Sequence, residues 1–473
     1  MKSKKFLVVM LIICLIATLS ALTSCNSTKN QTEDLSSKLK NKLEAYKTDL
    51  NDSANTLSSD AKIENYLVNW AKSKGIKYSK DSAGNVIMTR KTSTSYKDVD
   101  PTVIVCTYNH KQFNNYINPI ALALYTVKNN ESTGKLTVIF SAASENDYSD
   151  LESLSSKYFT SKSKVFCIGS AEKGAFSAKS GASSSYKFTK AVSYNSPAYT
   201  KAYKITISGL PGGQPDSKVS SYLNPITRLE SLLRSLKSSS INFEIANFSG
   251  GDDSTLYAKS ATVTICVDPN KEESFIEKMD NLTQNFSKKK TDEYPGVKYT
   301  YKKVSVPSKV MSTTGCNKLM NFMYTLLDGV YYKDDDDNLV SINSIDYIKT
   351  TQSKTIIKSV AYSLDPVNLK EIDRGEETLC TLSGAGFKKT GSVKLWEGSS
   401  DSDFAKAVST AYNEYSTSSL TYTDSVEASS ASYIKKLNNK CNIICVTVND
   451  NVVEDCTGTI VQYLINSNTD TTK

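Results

Sequence analysis

The sequence predicts an α/β unit on a mixed, mostly parallel sheet, interrupted by an inserted α+β unit. Three observations lead there. Strand-like apolar runs at Thr102–Cys106 and Leu136–Phe140 flank an apolar helical stretch from Ile117 to Val127, the rhythm of parallel strands joined by a crossover helix. Over 188–394 that rhythm breaks: AYKITISGL at 202–210 alternates like a half-buried strand, Leu223 to Leu236 carries a helical apolar face, and strands are expected at Ile241–Phe248 and Ala261–Val267. A similar set runs from Val310 to Leu364. The first rhythm resumes over 395–473, closing on a strand at Asn442–Val448 and a helix from Gly458 to Leu464.

Each element has its local reason. Ile63, Tyr66, Leu67, Trp70 and Ala71 recur on one helical face, with Asp60 expected as N-cap and Gly75 as the stop. The turn Asp81-Ser82-Ala83-Gly84-Asn85 leads into Val86-Ile87-Met88 as a hairpin. The start of the chain reads differently. Lys2, Lys4 and Lys5 precede an unbroken apolar run from Phe6 to Ile16, and small residues end in Leu22-Thr23-Ser24-Cys25, so 1–25 reads as an export signal. Its ending resembles the bacterial lipoprotein box, which implies diacylation of Cys25 and an anchor on the extracytoplasmic face of the cell membrane. Positions 26–38 are polar and suit a flexible tether, with folding expected from Leu39 onward, so that 39–187 forms the first part of the α/β unit.

Removal of the signal takes three lysines and lowers the formal net charge from +8 to +5. Lys and Arg interleave with Asp and Glu rather than forming a stripe, which argues against a nucleic-acid binder. The chain has 10 Cys, but Cys106, Cys167, Cys266 and Cys445 sit inside apolar strand-like runs, where a reduced thiol packs as a small hydrophobe. There is no C-x-x-C pair, and Cys441, Cys445 and Cys456 have no His partners for a structural zinc site.

The order of the segments resembles the aminoacyl-histidine (Xaa-His) dipeptidase branch of the dizinc metallopeptidases. ENYLVNWAKSKGIKYSKDSAGNVIM from Glu64 is similar to the opening helix and strand of that family. SGLPGGQPDSKVSSYLNPITRLESLL from Ser208 resembles the segment that opens its lid, and LSGAGFKKTGSVKLWEGSSDSDFAKAVSTAYNEY from Leu382 resembles its return to the catalytic unit. The resemblance implies a peptidase-like α/β unit with an α+β lid inserted at 188–394.

It also implies where metal chemistry would sit: two zinc ions held by His and carboxylates around a bridging Asp, with a Glu as general base. The first His ligand falls on Tyr108, and the Asp behind it on His110. The bridging Asp falls on Ile117. The base and its neighbouring ligand fall on Ser144 and Glu145, a later Asp ligand on Gly169, the last His near 426–430, and the lid His on Gln214. A single His in 473 residues cannot supply the three imidazoles that such a site needs in any register. These positions therefore read as degenerate, and no catalytic residue, metal ligand or cofactor is expected.

Other chemistry is thin. His110 beside Asn109 and Lys111 suits a hydrogen-bonding role, and Glu145 a solvated carboxylate. The run Asp334–Asp337 lacks the spacing of a calcium loop and reads as a solvated turn, while Gly209, Gly212 and Gly213 suit a tight turn rather than a phosphate loop. No G-x-S-x-G elbow is present. The leading expectation is a lipid-anchored, non-catalytic relative that binds a peptide or an envelope protein. The alternatives are a solute-binding lipoprotein that feeds a transporter, and a hydrolase with unrelated residual chemistry.

Overall fold

The structure is a computed structural model, and it describes residues 36–90, 98–129, 134–143, 147–171, 174–212, 222–251, 257–290, 293–416 and 418–469. Residues 36–53 form helix α1, which buries Leu39, Leu43 and Leu50. Helix α2, Asp60–Ser73, buries Ile63, Leu67, Trp70 and Ala71. Its N-cap is Ser59, whose side chain accepts the Lys62 amide, so Asp60 lies one residue inside the helix. There its carboxylate complements the helix dipole instead of capping it. Gly75, at φ +66, ends the helix in the left-handed region.

Strands β1 (Lys77–Lys80) and β2 (Val86–Arg90) pair antiparallel. The Asp81 carboxylate accepts the backbone N–H groups of Ala83 at 3.0 Å and Asn85 at 2.9 Å, which fixes the turn between them. Strand β3 (Thr102–Tyr108), helix α3 (Phe113–Asn129) and strand β4 (Leu136–Ala142) form the expected parallel crossover. Strand β5 (Lys164–Ser170) runs parallel to β3 on its other side, followed by the short strands β6 (Ala175–Ser177) and β7 (Lys179–Ser180).

A second sheet begins with β8 (Ala182–Ala191), ahead of the expected start at 188. The run Ala182-Ser183-Ser184-Ser185 has the composition of a loop, yet it pairs with β17 along its whole length and buries Ser183 and Ser184. Then follow β9 (Tyr194–Asn195), β10 (Lys201–Ser208), α4 (Pro225–Ser238), β11 (Phe243–Gly250), β12 (Ala261–Val267), α5 (Glu272–Lys290) and β13 (Lys298–Val304). The unit continues through β14 (Val310–Met311), α6 (Thr313–Thr325), β15 (Gly329–Lys333), β16 (Leu339–Thr350), β17 (Lys354–Ser363), α7 (Pro366–Ser383) and β18 (Gly386–Val393). Its main sheet has the order β13-β10-β12-β11-β16-β17-β8-β18, with β15 on β16, and all of its pairs are antiparallel. One face is covered by helices through Leu229, Leu233, Phe275, Leu319 and Ile372, as an alternating antiparallel sheet requires.

The chain returns through β19 (Trp396–Glu397), α8 (Asp403–Ser416), β20 (Asp424–Ser425), α9 (Ala431–Leu437), β21 (Asn442–Val448) and α10 (Val453–Thr469). Strand β21 joins the first sheet, whose order is β1-β2-β4-β3-β5-β21-β6. Its centre, β4-β3-β5-β21, is parallel, and β2 and β6 flank that centre antiparallel. A third, small sheet places β7 between β19 and β20. It therefore ties the strand leading into the second unit to the strand leading out of it. The described cysteines are all buried and form no disulfide. No helix among the described residues is long and apolar enough to cross a membrane.

Candidate functional site

Strand alternation decides what faces the cleft. In β3, Val103 and Val105 enter one core while Ile104, Cys106 and Tyr108 enter the other, which is built with α2, α3, α8 and α10. In β5, Val165 and Cys167 oppose Phe166 and Ile168; in β21, Ile443 and Cys445 oppose Ile444, Val446 and Val448. Extending the first set by one step places Thr107, Gly169 and Thr447 on one face, at the carboxyl ends of three adjacent parallel strands. All three line a cleft of about 410 Å³. Open α/β sheets bind ligands at this end. The far wall comes from the second unit through Pro211, Gly212, Lys259 and Tyr362.

The turn after β3 supplies much of the near wall. Asn109 is extended, and its side chain accepts the Lys111 amide at 2.9 Å, capping a short turn that runs straight into α3. Asn118, one turn into α3, donates to Asp450 at 3.1 Å, and Lys47 holds the same carboxylate at 3.2 Å. The Asn118 hydrogen bond and then the Lys47 contacts keep the Asp450 carboxyl below the ordinary carboxylate range. The side-chain oxygen of the same Asn118 amide is buried with no hydrogen-bond partner among the described residues. Ser180 and Ser429 share a 2.7 Å hydrogen bond, and Ser429 lies 3.3 Å from the Cys445 sulfur. Burial, and next the neighbouring Cys445, push the Cys167 thiol well up, so it stays protonated. The Tyr148 hydroxyl donates to the Ala428 carbonyl at 3.2 Å, and burial pushes its ionisation far up as well.

Of the described positions singled out in the sequence, Tyr108 and Ile117 turn away from the cleft. Tyr108 is fully buried on the helix side of the sheet, opposite to Gly169, with no partner for its hydroxyl among the described residues. Burial pushes that hydroxyl far above its ordinary range. Ile117 is likewise buried against the helices, while Asn115 and Asn118 of the same helix face the cleft. The assignments to Tyr108 and Ile117 are thus one register step from the cleft. Their neighbours Thr107 and Asn109, and Asn115 and Asn118, line it instead. The cause is geometric: a one-residue slip turns a strand side chain to the other face and rotates a helical one off the stripe.

Gly169 does line the cleft, and a β-carbon there would meet Thr107 Oγ1 only at 4.0 Å. His110 lies in a neighbouring hollow with Asp60, Asp147 and Asp150, facing Asp346 and Lys358 of the second unit. Its Nδ1 is 2.8 Å from Asp60 Oδ1. Asn109 and Ala143 border both hollows. The segment expected to hold the last ligand reaches the cleft through Glu427, Ala428, Ser429 and Ser430. Ser144, Glu145, Gln214 and Cys25 lie outside the described residues. The run Asp334–Asp337 is an exposed turn in which Asp334 accepts the amides of Asp336 and Asn338.

These residues do not fit a pair of zinc ions. Among the described residues no group of three or more His, Cys, Asp or Glu side chains is placed to hold a metal. The described lining of the cleft holds amides, hydroxyls and the two carboxylates Glu427 and Asp450 but no imidazole, where such a site needs imidazole together with several carboxylates. Asn449 and Thr447 were not singled out in the sequence, and because β3 and β21 are apolar on both faces, alternation along them does not mark Thr107 or Thr447.

The fold is a peptidase-like α/β unit carrying an α+β lid-like unit. Among solved structures the chain is similar to aminoacylhistidine dipeptidase from Vibrio alginolyticus, with a TM-score of 0.59 and 14% identity over 85% of this chain and 92% of that one. Human carnosine dipeptidase 1 aligns at a TM-score of 0.48 and 9% identity, over 93% and 99% of the two chains. The dipeptidase Dug1p from Saccharomyces cerevisiae gives 0.48 and 10% over 93% and 98%. At these identities the likeness is one of fold. No protein-family model matches the sequence, and no curated protein is significantly similar to it.

Proposed function

We propose that this chain is a lipid-anchored, extracytoplasmic binding protein on a dipeptidase fold, without the dizinc centre and general base of a peptidase. The observation that carries the reading is the cleft at the ends of β3, β5 and β21, where Thr107, Asn109, Asn118, Gly169 and Thr447 stand at the strand and helix termini that would need to present metal ligands. Two zinc ions concentrate four positive charges, which carboxylates must largely offset. Of the two carboxylates on this wall, Asp450 is already engaged by Lys47. Without a metal to acidify it, water does not form a bound hydroxide near neutral pH.

The cleft then serves to hold a ligand at the membrane surface, with Cys25 as the anchor. A transporter-feeding role is the second reading, supported by the two-unit layout, but the sheet that ties β7 to β19 and β20 opposes a wide hinge motion. Metal analysis of the purified protein, together with an assay of Xaa-His dipeptide cleavage with and without chelator, tests the proposal. The expected result is no stoichiometric zinc, cobalt or manganese and no chelator-sensitive turnover. Two tightly bound metals per chain, or cleavage lost with chelator and restored by zinc, would overturn it.

A further inference from the structure

We infer that the cleft takes a neutral, polyhydroxylated ligand, a short saccharide, recognised through amides and hydroxyls rather than through charge. This rests on the cleft being a binding site, and it replaces the expected peptide with a different ligand class.

The amides come first. Asn109, Gln112, Asn114, Asn115 and Asn118 all line the cleft from one short stretch, because β3 ends at Tyr108 and α3 starts at Phe113, so the turn between them and the first helical turns wrap its rim. Asn449 joins them from the end of β21. The side chains of Gln112, Asn114 and Asn115 make no hydrogen bond to any described residue. Each amide offers an N–H donor and a carbonyl acceptor in one plane, which matches neighbouring sugar hydroxyls that both donate and accept. The linked hydroxyls of Ser180 and Ser429 add to the same surface. Tyr116, Tyr148 and Tyr362 contribute aromatic rings with polar tips, the amphipathic surface suited to a sugar ring.

What the cleft lacks is equally specific. Its ionic side chains among the described residues are Lys259, Glu427 and Asp450, and Asp450 is held by Lys47 and Asn118. Amides and hydroxyls outnumber these charges along the lining, so a ligand meets mainly neutral hydrogen-bonding groups. A peptide asks for apolar subsites for its side chains. Among the described lining residues no large aliphatic side chain faces the cleft, because that of Ile168 points to the helix side of the sheet. The volume of about 410 Å³ falls within the range of small-ligand pockets and has room for a sugar unit or two.

Calorimetric titration of the full-length mature protein tests this, with maltose, cellobiose and N,N′-diacetylchitobiose as saccharide probes and Ala-His and Gly-Leu as peptide probes. At least one disaccharide is expected to bind with a Kd at or below about 1 mM, unchanged by chelator. Gln112→Ala and Asn115→Ala, whose side chains have no described partner to lose, are each expected to weaken binding by roughly tenfold without shifting the melting temperature. Binding of a dipeptide but of no saccharide would sink the saccharide inference and leave the binding role standing. Failure of all five probes would also overturn the inference, whereas chelator-sensitive hydrolysis would overturn the proposed function itself.

Discussion

A β-carbon placed on Gly181 would lie 1.9 Å from the carbonyl oxygen of Val426. The close approach exists because the Gly181 amide donates to two carbonyls at once, Ser425 at 2.8 Å and Glu427 at 2.9 Å, where the chain passes from the first unit into the second. The backbone must give way for any side chain at this position. Gly181→Ala is expected to destabilise the protein by about 1–3 kcal/mol, read as a lower urea midpoint. An unchanged midpoint would show that the 425–427 segment is not held against Gly181.

Glu376 makes stability depend on pH in an unusual direction. It is buried; one carboxyl oxygen accepts from the Leu327 amide and the Asn343 side chain, and the other has no partner among the described residues. Burial raises its pKa from 4.5 to about 7, against a smaller opposing effect of the Leu327 hydrogen bond. Between those values the folded chain holds a proton that the unfolded chain releases. This contribution is therefore complete below about pH 4.5 and is lost as pH rises through about 7. Glu376→Gln removes the titration, so the variant should gain on the parent by up to roughly 3 kcal/mol at alkaline pH and not in acid. Urea melts of both proteins that keep the same spacing at all pH values would contradict this.

The single histidine is expected to be structurally minor. The His110 and Asp60 side chains meet at 2.8 Å, but both are partly exposed. His110→Ala should change stability by no more than about 1 kcal/mol and leave ligand titrations in the main cleft unchanged. Loss of binding in that variant would move the site into the neighbouring hollow.

The anchor is tested in cells. If Leu22-Thr23-Ser24-Cys25 is a lipoprotein box, Cys25→Ala should release the protein from membranes or block its processing. Unchanged membrane association together with unchanged acyl labelling would refute the anchor.

Strong periodic signals were legible in the sequence. The α2 face at Ile63, Leu67, Trp70 and Ala71 and the β3-α3-β4 crossover stand where their patterns place them. Weaker signals were not. Ser183 to Ser185 have the composition of a loop, and only the flanking strands β17 and β18 make them a strand. Ser59 rather than Asp60 caps α2, because two competent capping residues are adjacent and local sequence does not rank them. The candidate site was legible as a region but not residue by residue. TVIVCTY is apolar on both faces, so nothing in it tells which set of side chains will look toward the cleft, and Tyr108 and Thr107 become distinguishable only once α2 and α3 cover one side.

The pairing of Lys179–Ser180 with Trp396–Glu397 leaves the two ends of the second unit side by side, running in opposite directions about 5 Å apart. Antiparallel neighbours of this kind can be joined by a two-residue turn. The second unit is in that sense a cassette with adjacent ends: it can be lifted out and its stems rejoined without stretching the chain around it, and another unit with equally close termini can take its place over the same cleft.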